Sequence, residues 1–83
     1  MAEKEIGKVS DYFDHVGVIA FKLTSPLKLG DTIKVKGNDF EFQQIVESMQ
    51  INRKPIKSAK KGDEVGIKVN EKAKRGSKVF KVG

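Results

Sequence analysis

Apolar and polar residues alternate along most of this chain with a period of two. In "VGVIAFKLT", residues 16–24, Ile19, Phe21 and Leu23 share one face while Val16, Val18, Ala20 and Lys22 share the other, the pattern of a strand with a buried side. "TIKVKG", 32–37, turns Ile33 and Val35 inward and Lys34 and Lys36 outward. "GND" at 37–39 supplies a hairpin turn, after which Phe40 starts the return strand. There Phe40 and Phe42 fall on one parity and Ile45, Met49 and Ile51 on the other, which predicts a bulge or bend near Gln43 and Gln44. "NRKPIKS", 52–58, reads as an exposed loop or irregular edge segment because of Pro55 and its cations. "EVGIKVN", 64–70, then turns Val65, Ile67 and Val69 inward and Gly66 outward, and "KVFKV", 78–82, closes the chain as a strand. No segment carries a convincing helical period.

Three of these strands begin alike. "LKLGDTIKV" (27–35), "AKKGDEVGIKV" (59–69) and "AKRGSKVFKV" (73–82) each place an apolar residue and a basic position before a Gly, Asp or Ser after it, and alternating residues beyond. Gly tolerates a positive φ, and the Asp or Ser side chain is expected to cap backbone N–H groups just after it. The landmarks Gly30, Gly62 and Gly76 are unevenly spaced, which excludes a solenoid of fixed period. Short strands, frequent turns and no helical crossover predict an all-β fold: a small, closed or nearly closed antiparallel β-barrel of about six or seven strands. With 83 residues, the chain forms one domain, 1–83, with a core near the lower size limit for unaided folding.

Composition narrows the chemistry. The chain has no cysteine, so disulfides, thiolate metal sites and a thiol nucleophile are excluded. No apolar run approaches a membrane span, and "MAEKEIGKV" lacks the apolar core of a signal peptide, so the expected compartment is the cytoplasm, with no membrane partner. The net charge of +6 is uneven: residues 1–42 carry −1 and residues 43–83 carry +7. A basic second half suggests an anionic partner such as RNA.

The blocks "GKV" (7–9), "VGVI" (16–19), "LKLGDTIKV" (27–35), "VESMQ" (46–50) and "RKPIKSAKKGDEVGIKV" (53–69) together resemble the translation-factor β-barrel, the second domain of elongation factor Tu and its relatives. The resemblance covers roughly residues 6–82, and the last block is its most specific part. It implies a barrel that docks tRNA, ribosomal RNA or neighbouring protein domains, with the GTP site in a separate domain. No phosphate loop occurs here. Arg53 matches the family's Arg that helps hold the terminal adenosine, but the partner Glu expected three positions earlier is Gln50. The resemblance extends to stand-alone small archaeal-type proteins and to barrels appended to collagenase-like peptidases, where no tRNA role is implied.

The candidate sites follow from these readings. Arg53, Lys54, Lys57, Lys60, Lys61, Lys72, Lys74, Arg75 and Lys78 form the candidate RNA-binding set, if the loops after 51 and after 70 meet in one patch. Tyr12 and Phe13 are candidates for base stacking, with at least one of them expected to fill the barrel mouth. Val16, Val18 and Ala20 make an outward apolar strip, a candidate protein interface. His15, the only histidine, lacks clustered ligands for a metal. Ser10 or Ser25 with His15 shows no nucleophile elbow. The expectation is a non-catalytic binding module without cofactor, metal or small-molecule substrate, associating with tRNA or ribosome-linked RNA through basic loops. The alternative is an accessory module that docks on an enzyme or translation partner through the apolar strip.

Overall fold

The computed structural model describes residues 3–82 and is all-β, as the alternation predicts. Ten strands run in order: β1 Glu3–Phe13, β2 Val18–Lys22, β3 Leu27–Lys28, β4 Thr32–Lys36, β5 Glu41–Ile45, β6 Met49–Ile51, β7 Lys54–Ile56, β8 Ser58–Ala59, β9 Glu64–Lys68 and β10 Lys78–Val82. Eight form one antiparallel sheet in the order β5-β4-β10-β1-β2-β9-β6-β7, and β3 pairs with β8 in a separate two-stranded sheet. The expected closed or nearly closed barrel of six or seven strands is therefore corrected: both sheets are open, and β5 and β7 are edges of the larger one.

The long β1 lets one sheet enclose a core. Its first half pairs with β10 and its second half with β2, with register shifts between Glu5 and Gly7 and between Val9 and Asp11. Each shift adds local twist and bend. At the first, a Cβ on Gly7 would run into the Phe21 ring and lie 2.9 Å from the Lys22 carbonyl oxygen, so only glycine lets the strands approach. At the second, the Ser10 hydroxyl donates to the Ala20 carbonyl at 3.0 Å. The folded sheet buries Ile6, Ile19, Phe21, Ile33, Val35, Ile67 and Val79 completely or nearly so.

The bulges are thus in β1 and not near Gln43 and Gln44, where β4 and β5 pair in unbroken register from Thr32↔Ile45 to Lys36↔Glu41. Phe42 and Val46 are buried on one parity and Ile45 is 55% exposed on the other; the change of phase falls after Val46, before β6. The 52–58 segment contains β7 and the start of β8, and Pro55 sits on the edge strand, where its missing N–H breaks no ladder. The β5 edge is finished by a side chain: Gln44 Nε2 donates to the Lys68 carbonyl at 2.9 Å, and the Asn70 N–H donates to Gln44 Oε1 at 2.8 Å.

The three Gly turns are built alike. Gly30, Gly62 and Gly76 have φ of 92°, 95° and 88°, and N–H groups of Asp31, Asp63 and Ser77 donate to carbonyls of Lys28, Lys60 and Lys74, the signature of a type II turn. The caps point backwards: Asp31 and Asp63 each accept, at 3.0 Å, the N–H three residues before them, not after, and the Ser77 hydroxyl donates to the Lys74 carbonyl. Each turn is then clasped to a distant buried residue by a reciprocal pair of backbone bonds. Gly30 and Asp31 hold Val46, Gly62 and Asp63 hold Leu23, and Gly76 and Ser77 hold Val9.

Candidate functional site: an apolar groove on the outer sheet face

Strands β2, β9 and β6 lie side by side, and their register aligns Ala20 with Gly66 and Gly66 with Gln50. These residues alternate with the inward Ile19, Phe21, Val65 and Ile67, so they face away from the core. Ala20 and Gly66 are too small to fill the space above them, and a groove of about 890 Å³ opens there. Phe13, Val16 and Val18 make its apolar side, with Phe13 44% and Val16 51% exposed. Gln50, Asn52, Arg53 and Glu64 supply polar groups on its lining.

Arg53 is held there by a tight turn. Ile51 pairs with Lys54, leaving Asn52 and Arg53 as a two-residue hairpin loop with φ of 51° and 65°, a type I′ turn. Asn is favoured in that conformation, but Arg is not, and a side chain held with positive φ stores on the order of 1 kcal/mol of backbone strain. Among the described residues neither Arg53 nor Glu64 has an ion-pair partner, and the Gln50 amide makes no side-chain hydrogen bond.

The predicted interface strip of Val16, Val18 and Ala20 is thus one wall and part of the floor of a groove that also contains Phe13 and Arg53. Tyr12 and Phe13 separate: Tyr12 is half-buried against the core and Phe13 is exposed. His15 lines the groove, and among the described residues no group of three or more His, Cys, Asp or Glu side chains is placed to hold a metal. Gln50, Glu64 and Asn52 were not among the sequence candidates. The signal for them was Gly66 on the outward parity, which marks where its neighbours border open space.

The basic residues do not gather into one patch. Arg53 and Lys54 lie at the β6–β7 turn beside the start of β9, whereas residues 70–77 leave from its end. Lys74, Arg75 and Lys78 line a second, smaller groove of about 580 Å³ with Lys36, Phe40 and Phe80. Lys74 lies 3.9 Å from Asp39 there, and Arg75 Nε donates to the Ser10 carbonyl at 3.1 Å. Lys57, Lys60, Lys61 and Lys72 are exposed and line neither groove. Phe80 is half-buried at this groove, and Phe40 stacks on Phe42 at a centroid distance of 6.2 Å.

Comparison with solved structures gives the class of fold. The chain superposes on the C-terminal domain of a Geobacillus thermoleovorans protein assigned to the U32 peptidases, with a TM-score of 0.88, 18% identity, and coverage of 96% of this chain and 93% of that one. A selenomethionine variant of the same domain gives a TM-score of 0.85 at 18% identity, covering 92% and 96%. In sequence, the chain is 40% identical over 77 residues, 92% of its length, to an uncharacterized protease of Methanocaldococcus jannaschii. It spans only 19% of that protease's length. No family model matches the chain.

These findings correct the resemblance to the second domain of elongation factor Tu, and with it the expectation of a translation-factor RNA-binding module: the similarity runs to a peptidase-associated domain and to a protease. The shared turns and the Gly-Asp-Glu-Val-Gly segment are demands of sheet geometry: a positive φ at Gly62, a cap from Asp63 and a small outward residue at Gly66. The expectation of a non-catalytic chain is corrected as well: its sequence similarity runs to a protease, within the 19% of that protein's length that it matches. No helix among the described residues is long and apolar enough to cross a membrane.

Proposed function

We propose that this chain works as part of a peptidase, in the place that the C-terminal domain holds in the U32-assigned protein of Geobacillus thermoleovorans. The observation that carries this reading is the 40% identity to the Methanocaldococcus jannaschii protease across 92% of the chain. The fold supports it through near-complete mutual coverage with the Geobacillus domain. The partner implied is a protein: the larger peptidase body that makes up the rest of such a protease.

The test is reconstitution. The Methanocaldococcus protease is made without the segment that matches this chain, and the 83-residue chain is added back in trans. Co-elution on gel filtration and faster cleavage of an unfolded protein substrate are the expected results. Neither effect, with both pieces folded, would overturn the proposal. Cleavage by the 83-residue chain alone would place the reacting groups within it.

A further inference from the structure

The groove across β2, β9 and β6 has the makings of a ligand site: an apolar floor with a few convergent polar groups that the protein itself leaves unpaired. We propose that it binds an extended peptide through a carboxylate, with Arg53 taking the carboxylate and the floor at Ala20 and Gly66 taking one apolar side chain. The choice of a polypeptide as ligand rests on the peptidase reading above.

The chemistry of the lining selects this occupant. The Arg53 guanidinium is planar and forked, which suits two parallel bonds to a carboxylate. It is a single cation, and Glu64 lines the same groove, so a singly charged carboxylate is neutralised by Arg53, whereas a dianionic phosphate would leave an excess negative charge in a groove that already holds a carboxylate. The Gln50 side chain lies over Gly66, its Cγ 3.4 Å from where a Cβ would stand. Its amide offers both a donor and an acceptor, the complement of a peptide unit. The row Ala20–Gly66–Gln50 crosses three strands, and adjacent strands lie about 4.8 Å apart, so the floor spans roughly 10 Å, the length of about three extended residues. Val18, Val16 and Phe13 border it with apolar surface.

Backbone strain supports the same assignment. The turn would be more comfortable as Asn-Gly, yet Arg occupies a position with φ of 65°. Strain retained at an exposed turn points to a side chain kept for what it contacts.

The experiment uses the whole chain and two dye-labelled tetrapeptides, Gly-Ala-Val-Leu with a free carboxylate and the same peptide as its C-terminal amide, titrated by fluorescence anisotropy. The free acid should bind at least about tenfold more tightly than the amide, the worth of a charge-assisted pair. Arg53→Gly should abolish that preference while raising the thermal midpoint by a few degrees, since it relieves the strained φ. That opposite movement separates loss of binding from loss of fold. Gly66→Val, which occupies the floor, should weaken both peptides. Equal binding of acid and amide, a preference that survives Arg53→Gly, or no binding of the acid at about millimolar concentration would each overturn the inference. Were reconstitution to succeed and the acid show no preference, this inference alone would fall. Were reconstitution to fail and the preference hold, the groove would stand and the peptidase reading would fall.

Discussion

Replacing Gly62 by Ala isolates the energetic role of the turns. Gly62 has φ of 95°, and a Cβ built on it meets nothing within 4 Å, so the substitution adds no clash and removes no contact. The whole cost comes from placing an L-residue at positive φ, about 1–2 kcal/mol. The turn must keep that φ, because the N–H of Gly62 is committed to the Leu23 carbonyl at 2.9 Å and the N–H of Leu23 to the Asp63 carbonyl at 2.8 Å. For a domain of this size each kcal/mol moves the thermal midpoint by roughly 4–8 °C. The decisive control is D-Ala at the same position, introduced by chemical synthesis. D-Ala favours positive φ and restricts the unfolded chain, so it should stabilise by about 0.4–1 kcal/mol where L-Ala destabilises. Thermal and urea unfolding followed by circular dichroism would read both. If the L- and D-Ala proteins unfold together, conformational preference is not what glycine supplies here, and the account of all three turns fails.

Three further outcomes are expected. Gly7→Ala introduces a methyl group that collides with the Phe21 ring and should cost roughly 1–3 kcal/mol in urea unfolding, as overpacking does. Gln44→Ala removes both bonds of the β5 seam and should cost about 1–2 kcal/mol, with faster hydrogen exchange at the Asn70 amide as the local readout. Lys34 is hydrogen-bonded first to Glu3 and then to Glu41, which raises its pKa above the ordinary 10.5. A raised folded-state pKa contributes stability that is fully present below the unfolded value and lost as pH rises through the folded value. The stability difference between the wild type and Lys34→Met should therefore hold at about pH 8 and shrink above the unfolded pKa of 10.5; a difference that grows there would contradict the pairing.

The sequence is readable where strands keep strict alternation and where turns demand glycine. Ile33, Val35, Val65, Ile67 and Val69 are all inward and at most 5% exposed, and Gly30, Gly62 and Gly76 all have positive φ. Strand β1 is hidden because two register shifts break its parity, leaving Ile6, Gly7 and Val9 buried in a pattern with no single period. That the sheet stays open, with edge β5 tied to segment 68–70 through the Gln44 amide, was equally hidden, since no local pattern announces that contact. For the groove, Val16, Val18, Ala20 and the outward Gly66 were legible one by one. Their meeting with Arg53 depends on the β6–β9 register and on a hairpin at Asn52 and Arg53 that lacks the usual Asn-Gly signature. Charge is legible along the chain as one basic half, but its placement is not: Arg53 lines one groove and Lys74, Arg75 and Lys78 another.

The three clasps also set an order of events in folding. Gly30 reaches Val46 across one hairpin, Gly62 reaches back to Leu23 over a longer stretch, and Gly76 must find Val9 near the opposite end of the chain. The entropy lost on closing a loop grows with its length, so three joints with the same hydrogen bonds are reached over barriers of increasing height. The first should form while the chain is still largely unstructured. The last, which draws β10 alongside β1, should gate folding and give this small domain the millisecond-to-second kinetics of a topology dominated by distant partners.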